Sequence, residues 1–506
     1  MLLLLCGIVP TRAQKLIEYE AGMGTRDPNN SDVWILYRRV RATHEGMTLY
    51  ADSALLNTKR NDFTAFRNVK IILSDTTTIW GDELYYDGQK RIADIWGKKG
   101  KTVKLKDGAT TLTTDRLTYD RNQNTAFYEN GGHATNRADT LDSRIGRYNT
   151  DLNTFFIYGE VQLKDSTSLL VTDTLVFNTE TNLATFTSPT HIYSDSATLY
   201  SEAGNYDSGI DYARSYKNSH VKSGEKTLMC DTLFYNKRSQ FGQAWGHVFI
   251  FDSINDITCR GRYGETDQSN KTSFVTDSAL VVFVDKGDSL YLHADTIFTT
   301  NNSDQKFETV RANYHVKIFR NDAQALCDSV FYSQPDSVVR LYYSPVLWYN
   351  DYQCSSDTME IFLDTAGVRQ AILNNNVMAI EKIDEDKHNQ VKGRNTIVYF
   401  TEGEPNYADV LGSAQMVYYL TEQQPDSTQA LVGVNVGQGS SMRIYFKDRQ
   451  PEKVSTYGKP DMTAYPYDKL PSDKRHLPGF EWKENQRPKS PKDIFIEENI
   501  GRKTDR

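Results

Sequence analysis

The chain is poor in the residues that usually announce chemistry. Its 506 residues include only five cysteines and nine histidines, with no CxxC pair, so the spacings of a zinc cluster or a thioredoxin-type redox site are missing. No HExxH, P-loop, GxSxG or GxGxxG motif stands in a strand-to-helix setting. Lys and Arg number 58 against 66 Asp and Glu, a net charge of −8, which removes the cationic footprint that DNA or RNA recognition needs. Beyond the N-terminus no apolar run approaches the ~18 residues of a membrane-crossing helix. Between Trp34 and Leu420 apolar residues never recur at i, i+3, i+4 and i+7 over a dozen positions, which argues against amphipathic helices.

What the chain does have is aromatic and repetitive. Its 31 Tyr and 22 Phe, together with many Thr and Val, favour pleated surfaces. One phrase recurs: leucine, any, small, aspartate, any, leucine, any, aromatic. It reads LTTDRLTY from Leu112 to Tyr119, LVTDTLVF from Leu170 to Phe177, LMCDTLFY from Leu228 to Tyr235 and ALCDSVFY from Ala325 to Tyr332. The aspartate or its substitute falls at 52, 82, 115, 144, 173, 202, 231, 262, 295, 328, 357 and 394, a period of about 31 residues. A second phrase follows about fifteen residues later, an apolar residue after a turn former, as in Ala65–Ile71, Phe156–Leu163, Ala244–Ile250 and Leu373–Val377. Turn formers separate the two phrases, so each unit is two strands and two turns. The fold class expected is all-β, an elongated solenoid or jellyroll of about twelve stacked two-strand repeats.

Apolar spacing of two on either side of the aspartate, with a phase slip at it, predicts a bend or bulge there. The leucines on both arms then face inward, and Leu112, Leu117, Leu170, Leu175, Leu228 and Leu233 are the expected interior lining. A calcium role for the aspartate column conflicts with Arg144, Arg262 and Arg394 in the same column; aspartate accepting backbone hydrogen bonds at a bend explains it without a cation. His133, His191, His220, His247 and His315 precede the apolar residue of the second phrase, where other units carry Asn68, Glu160 and Asn376. A left-handed turn preference accounts for that column without metal. No cofactor is called for. Cys230 and Cys327 alternate with Ala51, Gly81, Thr114 and Thr172 just before the aspartate, so the site wants a small side chain and the thiols are expected buried. Cys230 and Cys259 lie one repeat apart, and a disulfide between them stays open.

Residues 1–13 open with a short apolar run followed by small residues, with Thr11 and Ala13 at signal-peptidase spacing, and are expected to be an export signal, although a basic n-region is missing. A polar lead-in, expected to be flexible, spans 14–32, the repeats 33–449, and a Pro-, Lys- and Glu-rich tail 450–506. The tail is too poor in apolar residues to offset ordering entropy by itself and is expected to be largely disordered, with Asp493 to Ile496 as a short docking segment.

The phrases Ala51-Asp52-Ser53, Thr172-Asp173-Thr174-Leu175, Cys230 to Tyr235, Ala294-Asp295-Thr296-Ile297-Phe298 and Gly246-His247-Val248 resemble those of the OstA or LptA family of lipopolysaccharide-transport proteins. The likeness covers nearly everything from Val33 to Leu420. It implies stacked V-shaped turns with an apolar interior for acyl chains, a periplasmic location with possible attachment to the outer membrane, and no catalysis. It also implies lipopolysaccharide as partner, and edge-to-edge joining with other Lpt-type jellyrolls or an LptD-type barrel. Val33–Tyr37 and Met416–Leu420 are the terminal strands expected to offer those edges. The chain departs from short family members in its number of repeats, and no array of ~10-residue lipid-facing strands follows Leu420 in this sequence. A surface adhesin or structural solenoid, and a polysaccharide-cleaving β-helix enzyme, are the rival readings.

Overall fold

A computed structural model describes residues 15–495 except 99, 286–287, 305–306, 366 and 424–428. The expected export signal and Ile496 lie outside the described residues. The protein is all-β: antiparallel strands run from Glu18–Glu20 to Asp461–Tyr465, and the helical residues among those described are four three-residue 3-10 turns beyond Pro466. No helix among them is long and apolar enough to cross a membrane.

Many repeats are built from long strands bent in the middle, and in others the corner divides the strand into two short ones, as in Thr110–Thr114 and Arg116–Asp120. Met47–Asn57 pairs with Asp62–Ile72, and the register slips between Tyr50 and Ser53. In the next pairing it slips between Phe66 and Val69, opposite Gly81 and Glu83. Slips of the same kind fall at Tyr158/Val161, Trp245/Val248, Asn313/Val316 and Asn374/Val377. The extra residue belongs to the second phrase, not to the aspartate strand. Two consecutive left-handed residues make the corner there: Arg67 and Asn68 at φ 63° and 51°, Tyr314 and His315 at 64° and 52°, Asn375 and Asn376 at 57° and 52°.

The aspartate faces this corner and ties it. Asn68 Nδ2 donates to Asp52 Oδ2 at 2.9 Å, Asn376 Nδ2 to Asp357 Oδ1 at 3.0 Å, and Asn218 Nδ2 to Glu202 Oε1 at 2.7 Å. The backbone N–H of Lys98 donates to Asp82 at 2.9 Å. Most of these bonds come from side chains rather than from the backbone alone, and the aspartate column is a corner fastener.

The small residue before the aspartate points into the bend, where the two arms come closest. A Cβ on Gly81 would stand 2.4 Å from Ile95 Cγ2, one on Gly261 2.4 Å from Val275 Cγ2, and one on Gly393 2.6 Å from Val410 Cγ1. Ala51, Thr114, Thr172, Cys230 and Ala294 fill the same column and are buried. Gly81→Val is therefore expected to cost about 1–3 kcal/mol by overpacking, read as a lower melting midpoint.

The repeats are shared between two compact units: Met1–Gly224 with Thr232–Arg238, and Glu225–Asp231 with Ser239–Arg506. Unit 1 has one continuous core from Ile17 to Ala213. In unit 2 a core from Val275 to Val377 lies between the arms, and further clusters gather around Ile380 and Val417 and around Met416 and Met442.

Two sequence expectations are corrected. Val33–Tyr37 and Met416–Leu420 are not edges, because each pairs on both sides, Val33–Tyr37 with residues of Met23–Asp27 and Met47–Asn57, and Met416–Leu420 chiefly with Gln429–Lys447 on one side and His388–Thr401 on the other. The strands paired on one side only, among the described residues, are Glu18–Glu20 and Met23–Asp27 in unit 1 and Gln450–Tyr457 and Asp461–Tyr465 in unit 2. The tail is not loose either. Beyond its two strands, its described residues 466–495 lie on unit 2, with Leu470, Leu477 and Ile494 buried. Ile494 packs with Leu280 and Phe319 of the same chain, so the short docking segment already has an intramolecular seat. The tail has no core of its own and borrows one from the sheet beneath it.

Candidate functional site: the apolar interior

The bent strand places one leucine of each phrase on either arm. Leu112 pairs with Leu105 and Ala134, and Leu117 with Ile95. Leu170 pairs with Leu163 and Ile192, while Leu175 lies between Ile157 and Phe186. Leu112, Leu117, Leu170 and Leu175 are at most 1% exposed and Leu233 is 4% exposed, whereas Leu228 is half-buried. All six face inward. The first four lie inside a closed core, with Leu36, Ile79, Tyr148 and Phe155 among its fully buried members.

Polar contacts between the free ends of the two arms close unit 1. Tyr148 OH donates to Asp107 Oδ2 at 3.0 Å, and Thr77, the register partner of Asp107 on the same arm, donates its hydroxyl to Oδ1 at 2.8 Å. Tyr206 OH donates to Asp165, and Ser208 Oγ to Asp139 Oδ2 at 2.7 Å. Asn136 Nδ2 reaches Thr179 O at 2.8 Å, and His44 Nδ1 meets Tyr86 OH at 2.7 Å. Desolvation pushes the Tyr86, Tyr148 and Tyr206 hydroxyls well above the ordinary tyrosine range, so they stay protonated and donate. The Asp139 carboxyl is also raised, chiefly by burial. A mouth held this way stays shut unless the arms part.

Unit 2 is built differently. The partly exposed apolar residues packed on the unit 1 core are Ala21, Trp34 and Leu199. On the interior of unit 2 they include Phe283, Leu290, Phe307, Ile318, Leu347 and Ile361. Phe283 and Phe307 come from opposite arms, and their rings meet edge-on at 6.4 Å; Phe307 stacks on Tyr332 at 6.1 Å. Soft aromatic contacts stand where unit 1 has hydroxyl–carboxylate bonds. Small residues, among them Ala279, Ala294, Ala312 and Ala325, line the same interior and are buried. The result is an apolar trough in which Phe283, Phe307 and their aliphatic neighbours stay partly exposed. The phrase pattern marks Tyr332 but not Phe283 or Phe307, which fall near strand ends outside its columns.

The rest of the chemistry-bearing residues are structural. His247 Nδ1 stands 2.9 Å from Asp231 Oδ2, and His315 Nδ1 3.0 Å from Asp295 Oδ2; both occupy left-handed corners, as the turn preference predicts. His133, His191 and His220 do not. They sit in strands, where His133 pairs with Asp142 at 2.7 Å and His191 and His220 pack on Tyr200. The four described cysteines are thiols, with no Cys230–Cys259 disulfide. Burial pushes the Cys259 and Cys327 thiols up to about 12 and Cys354 to about 11, which keeps them protonated and unreactive at neutral pH. A concavity of about 420 Å³ lies over Phe274, Phe298, Arg311 and Phe331. These residues alternate with the buried Val275, Ile297, Val310 and Val330, so it belongs to the outer face of the sheet, not to the trough.

Comparison with known proteins places this architecture. No curated protein matches the chain. Among solved structures, the crystal structure of LptH, the LptA homologous periplasmic component of the conserved lipopolysaccharide transport device from Pseudomonas aeruginosa, is similar at 14% identity and a TM-score of 0.23, covering 29% of this chain and 99% of its own. Residues 16–173 and 151–286 each match the family described as OstA-like protein. These two matches together take in more than half of the 506 residues, and the chain belongs to the OstA-like family.

Proposed function

We propose that the chain is a non-enzymatic scaffold of the periplasm that takes the acyl chains of lipopolysaccharide into the trough of unit 2 and helps pass the lipid toward the outer membrane. The observation that carries this reading is the contrast between a latched interior in unit 1 and a partly exposed aromatic and aliphatic interior in unit 2. Each methylene transferred from water into such an interior contributes about 0.8 kcal/mol. A few chains therefore bind strongly without any charged contact, and equivalent layers in series let them slide. Sugars and phosphates stay in water. The leucine columns of unit 1 are proposed as lining only for a state in which the mouth has opened; Leu228 is accessible as it stands. The one-sided strands at 18–27 and 450–465 are the places proposed for joining other Lpt-type jellyrolls or an LptD-type barrel.

Photo-crosslinking in the native host tests the reading. Benzoylphenylalanine at Phe283, Leu347 or Ile361 is expected to trap lipopolysaccharide at several times the yield of the same probe at the outer-face positions Tyr50 and Phe298. Equal yields on the two faces, or no lipid adduct at any inner position, would overturn it.

A further inference from the structure

One sheet of unit 2 is covered on its outer face as well as its inner one. The inner face lines the trough. On the outer face, strand register sets Gln324, Trp348, Gln353, Ile380, Gln390 and Val417 in one row across six strands. Trp348, Ile380 and Val417 in that row are 0–1% exposed, because residues of the tail cover the face.

Gln390 and Gln353 hold the tail backbone as a strand would, and Gln324 holds an arginine side chain of the tail. Gln390 accepts from the Leu477 N–H at 2.8 Å and donates to Arg475 O at 2.9 Å. Gln353 accepts from the Lys483 N–H at 2.7 Å and donates to Glu481 O at 2.7 Å. Gln324 accepts from Arg487 Nε at 2.7 Å. A side-chain amide carries the same donor and acceptor as a peptide group, so it fixes the tail backbone whatever side chains the tail carries.

Histidines lie under this cover. His388 is 6% exposed, with its ring 5.3 Å from that of Phe480 and 5.1 Å from that of Trp482. Neither of its ring nitrogens has a hydrogen-bond partner. His476, on the tail, stacks on Phe480 at 4.3 Å. At the far end His293 has its ring 4.8 Å from Phe495 and its Nδ1 2.8 Å from Ala279 O.

We propose that residues 466–495 are a releasable strap, seated while His388 and His293 are neutral and lifted by acid to uncover the Trp348, Ile380 and Val417 row. Desolvation lowers the affinity of both histidines for a proton. At His388, His476 and Lys382 add repulsion while Asp384 and Asp386 oppose it. At His293, Lys317 and His315 repel, and Asp295 together with the Ala279 carbonyl oppose them. Once the strap is off, the desolvation that it imposes is lost and both rings move back toward the ordinary histidine value of about 6.5. The released form therefore binds more protons. Seating is complete above about pH 6.5 and weakens below it, by up to about tenfold per pH unit for each histidine, until the pH falls through the seated-state value.

Hydrogen exchange on the full chain at about pH 7.5 and about pH 5.5, corrected for intrinsic rates, tests this against the histidine titration range. The Leu477 and Lys483 amides are expected to lose protection at the lower pH, by up to about tenfold for each histidine, while the sheet amides of unit 1 keep theirs. His388→Phe combined with His293→Phe retains aromatic packing and is expected to hold the strap at both pH values. Unchanged protection in the parent chain, a strap already exposed at neutral pH, or an acid step that survives in the double variant would each overturn the proposal.

Discussion

Replacing Leu175 by aspartate is expected to unfold unit 1 rather than merely to weaken lipid binding. Leu175 is 1% exposed between Ile157 and Phe186. Its burial is worth about 1.5–3 kcal/mol. A carboxylate forced into the same place has no cation or donor to face and adds several kcal/mol more. The sum rivals the whole stability of an ordinary domain, about 5–15 kcal/mol. Circular dichroism should show loss of the cooperative melt of this unit, and an intact melt would show that the interior there is wetter than its packing implies. Leu228→Asp is the informative partner. Leu228 is half-buried, so the fold should survive and a loss of lipid adducts would report on the trough itself.

The second large effect is expected at the mouth of unit 1. Asp165 accepts from Tyr206 OH, from the Thr167 N–H at 2.7 Å and from the Ser168 N–H at 2.8 Å. Asp165→Ala strands a buried phenol and two turn amides together, for a cost of about 2–4 kcal/mol. For a unit of this size that lowers the melting midpoint by roughly 5–15 °C. Tyr206→Phe removes only the hydroxyl and leaves the turn bonds in place, so it should cost about 1–2 kcal/mol. Calorimetry on both variants separates the latch from the turn. Equal effects would mean that the carboxylate serves the phenol alone.

Much of this architecture is legible in single residues. The 31-residue spacing of the aspartates marks the repeat, and alternation around each one marks two inward arms; both signals are local, because strand period and corner chemistry act over a few residues. The interchange of Ala, Gly, Thr and Cys before the aspartate likewise reports a tight bend. The bulge is legible only to within one strand. Asp82 and its neighbours signal a corner, but the left-handed residues that make it, Arg67 and Asn68, belong to the strand paired with it. The histidine column divides for a related reason: His247 and His315 stand at left-handed corners, while His133, His191 and His220 lie in strands and meet neighbours in other strands.

The sequence by itself determined the all-β class, the repeat length and which side chains turn inward, since these follow from backbone sterics and from the two-residue period of a strand. Only the tertiary structure decided which stretches of that interior are shut. Tyr148 closes on Asp107 and Tyr206 on Asp165 across 41 residues in each case, a pairing that depends on how the arms fold together. It also decided the fate of the tail, whose Leu477 finds Gln390 across 87 residues. A segment too polar to build a core becomes ordered when a distant sheet supplies the apolar surface and the amide partners that it lacks.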